Sequence, residues 1–150
     1  MSKLNKGKIK NATKLEQHGL TFKSKLELFT YNKLIEAGIT DFKYEGYKFL
    51  LMEPFECNFD SFEVKKDKSF DAVNRNIRAI TYLPDFTRLD ERGNGWILEC
   101  KGFPNDGWNN KWKTFKQHLM ENDYTVTLYK PNNQANVIKA VELIRSKYYA

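Results

Sequence analysis

Residues 84–102, PDFTRLDERGNGWILECKG, constrain the fold of this chain more than any other stretch. The segment opens on Pro84-Asp85-Phe86. It turns through Asp90-Glu91-Arg92-Gly93-Asn94-Gly95 and closes on Trp96-Ile97-Leu98-Glu99-Cys100-Lys101-Gly102. Apolar runs on either side of a Gly/Asn-rich turn predict a β-hairpin. Side chains alternate along a strand, so Ile97, Glu99 and Lys101 point to one face and Trp96, Leu98 and Cys100 to the other. Apolar residues on both faces predict a strand covered on both sides. Charges facing inward from such a strand are costly unless they are paired or bound to metal.

Asp85 precedes the turn and lies beside Glu99 and Lys101 if the hairpin pairs in this way. Two carboxylates are hard oxygen ligands suited to Mg²⁺, with Mn²⁺ able to substitute. A cation held there polarises a phosphoryl oxygen and lowers the pKa of bound water. A lysine beside it orients that water or meets negative charge that builds on the phosphate. The chemistry these residue types suit is metal-assisted phosphodiester hydrolysis. A plain ion-paired or solvated face is the structural alternative for so short a pattern.

A capping box, Ser24-x-x-Glu27, opens a helix that runs to about Ala37 and stops at Gly38. At 3.6 residues per turn Glu27 falls with Leu28, Tyr31, Leu34 and Ile35 on the apolar stripe. Its carboxylate can act as a third metal ligand, a positioning group, or a cap only. Two β-prone stretches follow, Tyr44 to Leu51 and Phe55 to Val64, with Pro54 marking a bend between them. Residues 65–68 read as an exposed turn and Asp71 to Asn74 as loop. Asn74 to Phe86 reads as a strand feeding the hairpin, with Arg75 and Arg78 near its start. A helix is expected from about Trp108 to Glu121, with Trp108, Trp112, Phe115 and Leu119 as a core stripe. A strand from Tyr124 to Tyr129 and a helix from Asn136 to Tyr148 complete the chain. The order α-β-β-β-α-β-α predicts an α/β fold, a mixed central β-sheet flanked by helices.

The chain of 150 residues carries a net charge of +6, and that charge is unevenly placed. Lys3, Lys6, Lys8, Lys10, Lys14, Lys23 and Lys25 stand against Glu16 alone in the first 25 residues. The rest of the chain is balanced. We therefore expect a basic N-terminal arm over residues 1–19 and a single domain over residues 20–150. Basic arms contact nucleic-acid phosphates and release counterions on doing so; a solubilising tail is the alternative. Lys111 and Lys113 lie off the apolar stripe of their helix and are further candidates for DNA contact. The chain has no apolar run of membrane-spanning length and no leader-like N-terminus. Its two cysteines, Cys57 and Cys100, form no disulfide framework, and a reducing, cytoplasmic setting is expected. His18 and His118 fit no metal-ligand pattern.

Glu27 on a first helix, Asp85 in PDF, and Glu99-Cys100-Lys101-Gly102 resemble the PD-(D/E)xK nuclease superfamily. The segments FKSKLE, YLPDF and ILECKG look like those of small phage endonucleases, including endonuclease I-type Holliday junction resolvases. The resemblance covers about residues 20–102 by motif. It implies a restriction-endonuclease-like fold, Mg²⁺-dependent cleavage of DNA and, for a phage enzyme, work in the host cytoplasm. By that resemblance Asp85 and Glu99 bind metal, Lys101 assists the water and Glu27 completes the site. Branched DNA and a homodimer are what the resolvase likeness implies, although residues 52–76 form a longer connection than the resolvases carry. An RNA substrate stays open. The alternative class is a non-catalytic nucleic-acid-binding protein that retains the fold.

Overall fold

A computed structural model describes residues 16–102 and 105–150. The chain is mixed α/β. A short hairpin pairs β1 (Glu16–Gln17) with β2 (Leu20–Thr21). Part of the expected arm, residues 16–19, is therefore hairpin, turned by His18 and Gly19 at positive φ. Helix α1 (Lys25–Glu36) is capped by Ser24, whose hydroxyl accepts the Glu27 N–H at 3.1 Å. Gly38 ends the helix at φ 80°, a conformation that glycine adopts without a Cβ penalty. Its buried side chains are Glu27, Thr30 and Leu34. Ile35, expected on the inner stripe, is exposed.

The main sheet has four strands in the order β12 (Thr125–Tyr129), β11 (Asn94–Leu98), β10 (Phe86–Leu89) and β3 (Lys43–Tyr44). The β10–β11 hairpin is antiparallel, with Phe86 opposite Leu98 and Leu89 opposite Gly95. Asp90 shapes its turn by accepting the N–H groups of Arg92 and Asn94. At Gly95 a Cβ would lie 1.8 Å from the Arg88 carbonyl oxygen. Gly95→Ala must therefore push the two strands apart, and we expect a loss of about 3 kcal/mol in stability, measured by urea unfolding. After β11 the chain crosses through α2 (Asp106–Glu121) and returns as β12, parallel to β11. Two neighbours make β11 a central strand, and Trp96, Ile97 and Leu98 are fully buried.

Helices cover both faces of this sheet. On one face Trp96, Leu98 and Phe86 pack with Leu34 of α1 and with Val137, Val141 and Ile144 of α3 (Gln134–Tyr148). On the other face Ile97 packs with Trp112, Phe115 and Leu119 of α2. The alternation expected from the sequence holds across β11. Trp96 and Leu98 face α1 and α3, Ile97 faces α2, and Cys100 packs on the α1/α3 side.

Between β3 and β10 the chain makes a long two-stranded arm. It comprises β4 (Phe49–Met52) with β9 (Ile80–Tyr82), β5 (Phe55–Glu56) with β8 (Asn76–Ile77), and β6 (Phe62–Val64) with β7 (Phe70–Ala72). Two expectations are corrected here. Residues 71–74 are not all loop, because Asp71 and Ala72 pair with Glu63 and Phe62. Residues 74–86 are not one strand. The chain breaks after Tyr82, where Pro84 has no N–H to give a ladder, and β10 begins afresh at Phe86. The turn at residues 65–68 is as expected, closed by Lys68 N–H to the Lys65 carbonyl.

Candidate active site

The break before β10 is what places Asp85. Continuing the register past Phe86 and Leu98 sets Asp85 opposite Glu99. The Asp85 N–H points at Glu99 Oε1 at 3.3 Å, and Asp85 Oδ2 accepts the Cys100 N–H at 2.8 Å. Each acid is thus tied to the other's strand. Both are buried, Asp85 at 8 % and Glu99 at 7 % relative exposure. Glu99 Oε1 also accepts the Tyr82 hydroxyl at 2.5 Å. Among the described residues, Asp85 Oδ1 and Glu99 Oε2 receive no hydrogen bond.

Two carboxyl groups this close and this buried resist losing both protons. Burial first, then the charges of Glu99 and Glu27, push Asp85 up to about 8. Burial pushes Glu99 up as well, against the Tyr82 hydroxyl, the Asp85 N–H and the nearby Lys101 charge, which pull it down. Burial also raises the Cys100 thiol well above its ordinary range. Cys100 hydrogen-bonds Thr30 at 3.2 Å and packs on the core, so its role here is structural.

Glu27 sits in the first turn of α1, buried at 6 % exposure. Its carboxylate accepts the Tyr44 hydroxyl at 2.5 Å and the Ser24 hydroxyl at 2.9 Å. The Ser24 half of the capping box is present. The Glu27 side chain bonds the Ser24 hydroxyl and the β3 tyrosine. Its charge still reaches Asp85 and Glu99, raising both. Among the described residues, no group of three or more His, Cys, Asp or Glu side chains is arranged to hold an ion. The pair Asp85–Glu99 is the carboxylate set that converges, and Glu27 stands beside it.

Lys101 is half-buried, its N–H on the Pro131 carbonyl at 3.1 Å. Its ammonium lies 5.2 Å from the Trp108 ring centre, on the α2 side of the sheet. An open groove passes between Ser24 and Glu27 at the start of α1, Lys101, and Asn133 and Gln134 at the start of α3. Both helices turn their positive ends toward it, beside the Glu27 carboxylate that also lines it.

The basic candidates are scattered. Lys3, Lys6, Lys8, Lys10 and Lys14 lie outside the described residues. Lys23 is ion-paired with Glu45 at 3.1 Å. Lys25 and Lys113 are exposed, and Lys111 lies over the Tyr82 ring at 5.6 Å. Arg75 is taken by Asp60 at 2.8 Å. Sequence reasoning missed Tyr44 and Tyr82, the phenols that hold the two glutamates, because a tyrosine in a β-prone run carries no signal beyond packing.

No protein-family profile, no curated protein and no solved structure matches the chain.

Proposed function

We propose that this chain is a divalent-metal-dependent DNA endonuclease with a PD-(D/E)xK-type site. The observation that carries the reading is the facing Asp85–Glu99 pair, buried and hydrogen-bonded across two strands, with one carboxylate oxygen on each unbonded among the described residues. A mixed sheet covered on both faces, with a hairpin followed by a helical crossover to a parallel strand, supports a restriction-endonuclease-like core.

The donor set fits Mg²⁺ or Mn²⁺, which binds through one or two carboxylates and keeps several waters. Asp85 and Glu99 would hold the ion. Bound there, it would polarise a phosphoryl oxygen and lower the pKa of a water. The residues of the chain supply the rest. Tyr82 and the Asp85 N–H fix the Glu99 carboxylate in one orientation. The Cys100 N–H does the same for Asp85. Lys101, two residues beyond Glu99, brings positive charge to the phosphate. Glu27, held by Tyr44 and Ser24, positions the start of α1 against the groove. Tyr82→Phe leaves Glu99 one donor short and is expected to weaken Mn²⁺ binding by about 10- to 100-fold, read by calorimetric titration.

The test is cleavage of matched duplex, single-stranded and four-way-junction DNA with Mg²⁺, Mn²⁺ or EDTA. We expect metal-dependent cutting, and the preferred substrate separates a junction resolvase from a general endonuclease. One observation favours a second reading: among the described residues, the carboxylates that converge number two, not three. Tight binding of DNA without cutting under either metal would establish a non-catalytic nucleic-acid-binding protein.

A further inference from the structure

Beside the carboxylate pair runs a line of aromatic rings, Tyr82 and Trp112 buried and Trp108 half-buried at its outer end, bordered by lysines. Trp108 and Trp112 sit one helical turn apart on α2 and stack at 5.2 Å between centres, 18° from parallel. Trp112 meets Tyr82 edge-on at 6.3 Å, and the Tyr82 hydroxyl bonds Glu99. One line of rings therefore runs from the site outward. Four ammonium groups border it. Lys101 and Lys130 lie 5.2 and 5.1 Å from the Trp108 centre. Lys116 lies 6.0 Å from Trp112, and Lys111 lies 5.6 Å from Tyr82. Among the described residues none of the four is ion-paired, whereas Lys23, Lys33, Arg75 and Arg88 are. The lysines come from three elements: the end of the β11 segment, α2, and the residue after β12. Their convergence on two indoles and the Tyr82 ring is a product of the fold rather than of one helix's solvated face.

We propose that this surface is a platform for an unpaired nucleic-acid strand, which it leads into the Asp85–Glu99 site. Bases stack on Trp108 while Lys101, Lys111, Lys116 and Lys130 meet the flanking phosphates. The energetic ordering supports the exchange. A base stacked on an indole is held more strongly than an exposed ammonium on the same ring. A base therefore displaces the ammonium, which gains a phosphate in its place. Bases inside a duplex are already stacked on both faces and only the two end pairs offer one to Trp108, so the platform favours strands with unpaired bases. The substrate class deepens, and rests on, the nuclease reading above.

The experiment measures binding of a single-stranded oligothymidylate and of a blunt duplex of equal length, in EDTA, by fluorescence anisotropy and tryptophan emission. The proteins are wild type, Lys130→Ala, Trp108→Phe and Trp108→Ala. We expect the single strand to bind tighter than the duplex and to quench tryptophan emission. Lys130→Ala, at an exposed position that leaves the fold intact, should lower the salt slope by about 0.7 and weaken single-strand binding several-fold. Trp108→Ala should weaken it about 10-fold and Trp108→Phe much less. Equal single-strand affinity and salt slope in Lys130→Ala and wild type, or a preference for duplex, would overturn the platform. Wild-type cleavage in Mg²⁺ is read in parallel. Cutting without these binding effects removes the platform and keeps the nuclease; platform binding without cutting removes the nuclease and keeps the platform.

Discussion

Asp85→Asn is expected to lower metal-dependent cleavage on the order of 10³-fold while making the metal-free protein more stable at pH 8. The two effects share one cause. The substituted amide can still accept the Cys100 N–H through its carbonyl oxygen, so the strand ends stay joined. It cannot supply a negative oxygen, so an ion would keep Glu99 alone. With the Asp85 charge gone, Glu99 has no facing carboxylate to repel it. Activity follows from single-turnover cleavage and stability from thermal unfolding in EDTA. A variant that lost both together would mark Asp85 as a structural residue, whereas activity lost with stability gained marks a site held under electrostatic strain.

The second large effect is on pH and metal. Asp85 has an ordinary value of 3.8 and is raised to about 8 in the folded chain. A raised acid favours the folded state while it is protonated. Its contribution is therefore complete below about pH 4 and is lost as pH climbs to 8. The ceiling for Asp85 is roughly 6 kcal/mol, and Glu99 is raised in the same direction. In EDTA the melting temperature should fall on the order of 10 °C across that window, and the fall should be much smaller in Asp85→Asn. Mg²⁺ bound by the pair would take the place of the Asp85 proton, so its stabilisation should grow with pH over the same range. A Mg²⁺ effect independent of pH would place the ion elsewhere.

The hairpin was legible because its determinants are local: a Gly/Asn turn, apolar runs on both sides and a two-residue period. Those features alone put Glu99 and Lys101 two positions apart and predicted the covered strand that the structure has in β11. The three helices were legible from their apolar spacing, to within about two residues at most ends. The arm was only half legible. Its strands are short and largely exposed, so the alternation that marks a buried face is weak, and Asp71-Ala72 looked like loop. Pro84 stands in the expected strand and, lacking an N–H for the ladder, belongs to the break before β10. The spacing of α1 puts Glu27 on the inner stripe, but the reason it can be buried there does not show in the sequence. That reason is Tyr44, 17 residues away, just as Tyr82 is for Glu99. Phenol-to-carboxylate pairings across separate elements leave no periodic trace in a sequence.

The arm leaves the body at Phe49 and returns at Tyr82, and these two residues are direct cross-strand partners. Everything distal to them is reached through one closed gate. The gate residues pack on Phe115 of α2, so the site is anchored at the arm's root and is indifferent to its tip. Closing a loop twice as long costs only about 0.6 kcal/mol more. The chain can therefore gain or shed paired residues between Met52 and Ile80 in the course of descent while the acids below stay in register. The arm is where length variation among descendants of this chain should accumulate.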